Sequence, residues 1–308
     1  MFAKAFKSEF YRIGRMKSTY VLIAVLAAIV LVVNFLYLKV DMYGLMGFSK
    51  EDIEDLQQMG TSAESYEDSF MTGFQAGLQS SEEISEGDTT IHLLGEGILY
   101  DESVATLYTM DVGSMYELLL ISIFVGLYIG SVYSTGLDKN LNSFAGRRGL
   151  LFTVRMLHIA IYSFVMHVFT WIYCLITTAM MARSVRLEID KAFILYFLVT
   201  WLLCVAFGWI VAGMAHMTRS KAAGITLGII LSAGLLSTLI SIASLMMQKR
   251  FDLGTDFNLG YYTVTHNVAA LSLYSDGHFV VRAIICALVY GGLSYIGSLL
   301  VVRKRDIA

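Results

Sequence analysis

Ionisable side chains are rare in the apolar runs of this sequence, and they are the first candidates for chemistry. His167 lies in the middle of one run, His158 and Glu117 lie near the ends of runs, and Arg282 lies just inside the last run. Ionisable groups inside a membrane usually mark ion paths or proton relays. Four scattered residues are too few for a relay, so the sequence argues against a proton- or sodium-coupled transporter. We expect His167 to be packed or hydrogen-bonded between helices.

Motifs of catalysis and phosphate binding are absent from the sequence. It contains no Gly-x-x-x-x-Gly-Lys-(Ser/Thr) loop, no His-Glu-x-x-His and no Gly-x-Ser-x-Gly. The three cysteines, Cys174, Cys204 and Cys286, lie in apolar runs, and no Cys or His stands at metal-ligand spacing. We therefore predict no catalytic, cofactor-binding or metal site in this chain, which is not expected to be an enzyme. Any ATP that drives it would bind to another chain.

A short basic segment, "STGLDKNLNSFAGRRGLLFTVRML", runs from Ser134 to Leu157 between two apolar runs. Gly136 and Gly146 bracket nine residues, which is enough for two helical turns. Leu137, Leu141 and Phe144 recur at steps of four and three, so they would share one face of such a helix. The segment fits a surface helix that docks another protein, and it equally fits a basic turn.

The first eighteen residues, "MFAKAFKSEFYRIGRMKS", alternate apolar and basic positions with helical spacing. Apolar residues lie on one side of the predicted helix and basic residues on the other. The apolar residues are Phe2, Phe6, Phe10, Ile13 and Met16, and the basic residues are Lys4, Lys7, Arg12 and Arg15. This pattern predicts an amphipathic helix over 1–18 in the membrane interface. The alternative is a plain basic flank that only sets orientation. Glu9 falls toward the apolar side, and we expect it to have a polar partner there, such as a basic side chain.

The composition is that of an integral membrane protein. The chain has 308 residues, of which 56% are hydrophobic and 15% charged, whereas soluble domains carry about 25% charged residues. Six apolar runs are long enough to span a bilayer: they are 19–38, 112–133, 157–182, 192–214, 222–247 and 279–302. The sequence thus predicts an all-α integral membrane fold with six transmembrane helices. The absence of proline predicts that these helices are unbroken.

The distribution of charge predicts the topology. Fourteen of the twenty-two basic residues fall on one side of the six runs, in the shorter connections. This bias places both termini in the cytoplasm. The organisation that follows is an interfacial helix over 1–18, a first span over 19–38, an extracellular segment over 39–114, five further spans within 115–302, and a cytoplasmic tail over 303–308.

The extracellular segment over 39–114 is strongly acidic. It contains sixteen Asp or Glu residues and two Lys. One interpretation is a solvated loop that stays soluble through its charge. The other is a surface that attracts a cationic partner, for which the candidate residues are Glu64, Glu67, Asp68, Glu82, Glu83 and Glu86.

Two further patterns concern packing. The segment 248–278 is poor in acids and rich in Tyr, Asn and Gly, and it would either lie in the interface as an amphipathic helix or fold back as a cap on the spans. Gly126 with Gly130, and Gly224 with Gly228, form small-x-x-x-small patterns that let helices approach closely. The sequence does not decide whether that approach occurs within the chain or between two copies.

Two of these segments together resemble the permease subunits of type-2 ATP-binding-cassette exporters, particularly the small bacterial ones linked to bacitracin or lantibiotic immunity. The N-terminal match is Glu9 followed by Arg12, and the second match comprises Gly136, Lys139, Asn140, Gly146 and Arg148. The sequence departs from the family pattern at Ser134 and Thr135 and at Arg147, where Ser is common. The acidic outer segment is also longer than is usual in the family.

The resemblance implies a function and its parts. The loop 134–150 would be the coupling helix that packs on the ATP-binding subunit, through Gly136, Leu137, Lys139, Asn140, Leu141, Phe144, Arg147 and Arg148. The N-terminal helix would be an elbow helix at the membrane surface, marked by Phe6, Glu9, Phe10 and Arg12. ATP and Mg would bind to two copies of a partner ATPase, and a second permease, identical or sibling, would complete the exporter.

The remaining expectations concern cargo and place. The resemblance implies the bacterial cytoplasmic membrane and export of an amphipathic or antimicrobial peptide or a similar hydrophobic compound; the lipid bilayer is a partner and nucleic acid is not. A different class of function stays open, namely a membrane immunity or sensor protein that binds a peptide outside the cell and transports nothing. A bound ATPase on the cytoplasmic loops would distinguish the two.

Overall fold

The computed structural model describes residues 2–39, 104–134, 148–181, 187, 189–251, 258–273 and 275–304. Regular structure in these ranges is entirely helical. The helices are α1 (Phe2–Arg15), α2 (Lys17–Lys39), α3 (Val104–Gly113), α4 (Tyr116–Ser134), α5 (Arg148–Met181), α6 (Lys191–Thr218), α7 (Lys221–Ser232), α8 (Leu235–Phe251), a 3-10 helix (Leu259–Tyr262), α9 (Val264–Ala270) and α10 (Gly277–Lys304). The predicted all-α class is confirmed.

Several helices are suited to a bilayer. Five are long and apolar enough to cross it: α2, α4, α5, α6 and α10. The pair α7 and α8 passes the same criterion only when its two helices are taken together, which brings the number of spans to six. The described part of the chain therefore has the architecture of a multi-pass membrane protein, with five spans or six according to how the α7–α8 pair is counted.

The fifth predicted span is bent, contrary to the expectation of unbroken helices. α7 and α8 meet at an angle of 53° across a break at residues 233–234. Gly234 has φ of 72°, a left-handed conformation that glycine adopts without steric cost. The Ala233 N–H bonds to the Ile229 carbonyl and closes the last turn of α7. A glycine thus bends this element where the sequence has no proline.

The second predicted span also begins later than its apolar run. α3 ends at Gly113, and α4 starts only at Tyr116. Met115 between them has φ of 62°, which is unusual for a residue with a side chain. The Ser114 hydroxyl donates to the Asp111 carbonyl at 2.6 Å and helps to end α3. α3 is therefore a separate short helix rather than the first turns of the span.

The core of the bundle lies among α4, α5 and α6. Its largest fully buried side chains include Tyr108, Phe124, Tyr128, Phe152 and Phe207. The indole of Trp209 on α6 donates to the Met156 carbonyl on α5 at 3.0 Å, which fixes the register of these two helices. α2 packs on α5, α7 packs on α4, and α10 packs on α6.

The small-residue patterns meet each other within the chain. A Cβ atom added at Gly126 would lie 2.3 Å from the Ile225 side chain, and one at Gly228 would lie 2.1 Å from Cβ of Ser122. A Cβ atom at Gly130 would lie 2.7 Å from Cα of Lys221. α4 and α7 therefore approach so closely that these three glycines belong to their shared interface.

The segment around α9 covers one end of the bundle. Its residues from Val264 to Val268 are buried, and α9 packs on α3, α6 and α10. Asn267 donates to the carbonyls of Tyr261 and Thr263 and holds the 3-10 helix against α9. Of the two interpretations of 248–278, this packing favours the cap.

Candidate functional site: two buried charged clusters

The first cluster, called the Glu9 cluster, comprises Glu9, Arg12, Tyr128 and Arg155. Glu9 is 1% exposed. Its Oε1 accepts a hydrogen bond from Nε of Arg155 at 3.0 Å, and its Oε2 accepts from the Tyr128 hydroxyl at 3.1 Å. Arg12 forms an ion pair with the same Oε2 at 2.8 Å, and its guanidinium lies over the Tyr128 ring at 4.4 Å. One carboxylate thus joins α1 to α4 and α5.

The Glu9 cluster confirms that Glu9 has basic partners. Glu9 and Arg12 are on α1, three residues apart, and the spacing of α1 turns the carboxylate away from solvent. Arg155 is 2% exposed and lies two helical turns into α5. A buried cation and a buried carboxylate at hydrogen-bond distance stabilise each other, whereas either alone would be costly in an apolar surrounding.

Apolar residues of α1 complete its contact with α5. Ala5 is buried beside Leu151 and Val154, and Phe6 packs against the same group. The Phe6 ring lies 4.4 Å from the His158 ring, and the rings of Phe2, Phe6 and Phe10 are stacked in sequence. Phe2 and Phe10 remain 46% and 59% exposed. α1 therefore binds α5 through one edge and presents aromatic rings along the other.

The second cluster, called the Glu117 cluster, comprises Glu117, His167, Thr170 and Thr200, which come from α4, α5 and α6. The Glu117 oxygens lie 2.9 and 3.0 Å from Nδ1 of His167. Nε2 of His167 lies 2.9 Å from the Thr200 hydroxyl, and the Thr170 hydroxyl donates to Glu117 at 3.4 Å. All four residues are at most 1% exposed. His167 is thus hydrogen-bonded between helices, as the sequence led us to expect.

The hydroxyl of Thr200 decides how protons are shared in the Glu117 cluster. Its oxygen lies 2.8 Å from the Tyr196 carbonyl and 2.9 Å from Nε2 of His167. When its one hydrogen is donated to Tyr196, the oxygen accepts from Nε2–H of His167. With a hydrogen on Nε2, Nδ1 shares a second proton with the Glu117 carboxylate. The Glu117–His167 pair is then neutral as a whole, which suits its burial.

A potential ligand set lies at the same place, and the sequence did not indicate it. One ligand atom each of Glu117, His167 and Cys204 lies within 4.8 Å of the other two. The three residues are separated by 50 and 37 positions in the chain, so no local spacing connects them. Only the packing of α4, α5 and α6 brings them together.

Asp111 on α3 lies near the Glu117 cluster and is also buried. It belongs to the acidic extracellular segment, which is exposed to solvent in both interpretations of the sequence, but its side chain is 0% exposed. Its Oδ2 accepts from the Cys174 thiol at 2.7 Å, and the nearby Asn34 side chain donates to Thr177 at 2.8 Å. Burial raises the pKa of Asp111 to about 6, against the opposing effect of the hydrogen bond from Cys174.

The raised pKa of Asp111 predicts a pH dependence of stability. Between about pH 4 and pH 6 the folded chain retains a proton that the unfolded chain releases, so the free energy of unfolding falls as pH rises through this window. A shift from 3.8 to about 6 corresponds to a fall of about 3 kcal/mol. We expect the Asp111→Asn variant to lack this fall in the free energy of unfolding and to be more stable than the wild type at pH 8. Thermal unfolding in detergent measures both effects.

The matched control for Asp111 is the exposed Asp276. Asp276→Asn should keep the fall in stability between pH 4 and pH 6, because its carboxyl is not buried. An Asp111→Asn protein whose stability follows the same pH curve as the wild type would show that Asp111 is not the buried titrating group.

Most residues of the predicted coupling and cargo sites lie outside the described part of the chain. This holds for Gly136, Leu137, Lys139, Asn140, Leu141, Phe144 and Arg147, and for Glu64, Glu67, Asp68, Glu82, Glu83 and Glu86. Of the coupling set, Arg148 is the first residue of α5. The elbow set is described completely, and the structure brings its Glu9 and Arg12 together with Tyr128 and Arg155.

Neither a protein-family model nor a curated protein matches this chain. The Glu9 cluster, the Glu117 cluster and the patterns of the cytoplasmic segments are thus the basis for a functional proposal.

Proposed function

We propose that this chain is the membrane permease subunit of an ATP-driven exporter of the type-2 ATP-binding-cassette class. A separate ATPase subunit, in two copies, binds ATP and Mg on the cytoplasmic side. A second permease, identical or sibling, completes the membrane part, in the cytoplasmic membrane of a bacterium. Both termini of the chain lie in the cytoplasm.

The observation that supports this proposal most is the position of the Glu9 cluster relative to the segment 134–150. α4 ends at Ser134 and α5 begins at Arg148, so the segment is flanked by these two helices. Tyr128 lies six residues before the end of α4, and Arg155 lies seven residues after the start of α5. At 1.5 Å per residue both are about 10 Å from the segment. Glu9 bonds to both.

The Glu9 cluster is well placed to transmit a movement of a docked ATPase to the membrane helices. A displacement of the segment 134–150 moves the ends of α4 and α5, and the Glu9 cluster makes these ends and α1 move together. Because the Glu9 carboxylate is buried and has partners on α4, on α5 and on α1 itself, these three helices resist separation. The exposed Phe2, Phe10 and Tyr11 of α1 would then slide in the lipid interface.

The proposed cargo is an amphipathic or antimicrobial peptide or a similar hydrophobic compound. The resemblance to bacitracin- and lantibiotic-immunity permeases is the main support, and the net negative charge of the segment 39–114 would favour a cationic peptide. The cargo would pass between the two permeases, or leave from the outer leaflet.

Substitution of the predicted docking face tests the proposal. Leu141→Ala with Phe144→Ala removes two side chains that would share one face of the helix predicted from their spacing. Interface anchors of this kind commonly contribute about 2 kcal/mol or more each. We expect the double variant to insert normally in the membrane but to lose both the co-purified ATP-binding subunit and its stimulated ATP hydrolysis.

Lys139→Ala is the control for this experiment. Its expected effect is milder, because charges at the rim of an interface contribute less to affinity than buried anchors do. An intact complex with normal transport in the Leu141→Ala, Phe144→Ala protein would mean that the segment is a simple turn and would remove the basis for the coupling role.

A further inference from the structure

Three side chains with metal-binding atoms converge in the middle of the bundle, outside the proposed coupling machinery. Glu117, His167 and Cys204 project from α4, α5 and α6, and one ligand atom of each lies within 4.8 Å of the others. All three are at most 1% exposed. A carboxylate, an imidazole and a thiol in one place form a mixed oxygen, nitrogen and sulfur donor set, which divalent zinc-like ions prefer.

The hydrogen bonds of His167 are those of a metal-ligating histidine. Such a residue usually donates one ring N–H to an acceptor, which fixes the ring so that the other nitrogen faces the metal. Nε2 of His167 lies 2.9 Å from the Thr200 hydroxyl, whose oxygen lies 2.8 Å from the Tyr196 carbonyl. With the Thr200 hydrogen on that carbonyl, Nε2–H donates to Thr200. Nδ1 then faces the Glu117 carboxylate, and either a proton or a metal cation lies between these two acceptors.

We propose that Glu117, His167 and Cys204 form a binding site for one zinc-like divalent cation. The ligand atoms are a Glu117 carboxylate oxygen, Nδ1 of His167 and Sγ of Cys204. Ligand atoms of a tetrahedral zinc ion lie about 3.5 Å apart, given metal–ligand bonds of about 2.0 to 2.3 Å. The present separations are at most 4.8 Å, so they exceed this by about 1.3 Å at most, and side-chain rotations would bring the atoms together.

The charge balance suits a buried site. Binding displaces the proton shared by Glu117 and His167 and the proton of the Cys204 thiol, so two protons are released for each ion bound. The products are a carboxylate, a neutral imidazole and a thiolate around a doubly charged cation. Their sum is zero, so the occupied site leaves no net charge in the apolar interior.

Buried hydroxyl groups surround the three ligand residues. The Thr170 hydroxyl lies 3.4 Å from Oε2 of Glu117 and 3.1 Å from the Met166 carbonyl, so its one hydrogen is shared between these two acceptors. The Tyr108 ring meets His167 edge-on, with ring centroids 5.5 Å apart. The Tyr108 hydroxyl is buried and has no hydrogen-bond partner in the described ranges.

Cobalt binding and zinc content test this site directly. The wild-type chain, produced in zinc-supplemented medium and purified in detergent, should contain one zinc ion per molecule by mass spectrometry of the metal. After zinc removal, Co²⁺ should produce a thiolate-to-cobalt absorption band. Cys204→Ser should lose that band and lower the zinc content at least tenfold. Thr200→Val should keep the ligands but weaken cobalt binding about 10- to 100-fold.

Cys286→Ser is the matched control, because Cys286 is a buried thiol on α10 outside this cluster. It should bind zinc and cobalt as the wild type does. Two results would overturn the proposal: a wild-type protein that takes up neither ion, or a Cys204→Ser protein whose zinc content and cobalt spectrum equal those of the wild type. These readouts need no ATPase partner, so they do not depend on the proposed export function.

Discussion

Replacing Arg155 by Met should lower the free energy of unfolding by about 3 to 5 kcal/mol, the usual cost of breaking a buried ion pair by removing one partner. Arg155 is 2% exposed and bonds to a carboxylate that is 1% exposed. Without it, Glu9 keeps Arg12 and the Tyr128 hydroxyl but loses its most buried cation. Thermal and denaturant unfolding of the detergent-solubilised chain measure the loss.

Arg12→Met is the matched control, since Arg12 pairs with the same carboxylate but its side chain is 19% exposed. We expect a smaller loss there, because a partly solvated cation contributes less than a buried one. Adding Glu9→Gln to Arg155→Met should recover part of the stability, because the carboxylate left behind causes most of the cost. Equal losses for Arg12→Met and Arg155→Met would contradict the assignment of Arg155 as the principal partner of Glu9.

Substitution of the glycines between α4 and α7 should have the second large effect. A Cβ atom at Gly130 would lie 2.4 Å from Cβ and 2.7 Å from Cα of Lys221, and one at Gly228 would lie 2.1 Å from Cβ of Ser122. These neighbours cannot rotate away, so α4 and α7 must separate. Overpacking of this kind costs about 1 to 3 kcal/mol per site.

Both substitutions force the same separation of α4 from α7, so their effects are coupled and are not expected to add fully. Gly130→Ala with Gly228→Ala should destabilise the chain by more than either single change and by at most about 6 kcal/mol. Gly292→Ala on α10 is the control, because a Cβ atom there meets nothing within 4 Å, and it should be neutral or slightly stabilising through helix propensity. If the double variant unfolds at the same temperature as Gly292→Ala, α4 and α7 are not in the close contact described above.

The sequence predicted the properties that depend on a regular spacing of residues along the chain. Apolar runs gave the all-α membrane class, and the spacing of Phe2, Phe6 and Phe10 gave a helix with one aromatic edge. The same spacing placed Glu9 on the apolar side, from which a basic partner followed. Each of these depends on helix geometry and on the cost of burying a charge, which act locally.

The properties that the sequence could not predict depend on packing between distant elements. The Glu117 cluster forms only because α4, α5 and α6 are rotated about their axes so that these side chains meet. The spacing of residues within one helix does not determine those rotations. Asp111 was assigned to a solvated segment because its neighbours in sequence are acidic, yet α3 packs it against Cys174. The absence of proline does not exclude the bend at Gly234, because a glycine in the left-handed conformation is sufficient to break a helix.

Purification of the tagged chain from the membranes of its native cells tests the export function most directly. We predict that it brings with it, in equimolar amount, a chain that contains a Gly-x-x-x-x-Gly-Lys-(Ser/Thr) loop, and that the complex hydrolyses ATP when Mg is present. The Leu141→Ala, Phe144→Ala chain, purified in parallel, should lack both the partner and the hydrolysis. A folded wild-type chain that purifies alone in mild detergent, with no ATP-binding chain and no ATP hydrolysis, would contradict the proposal that it is an exporter permease.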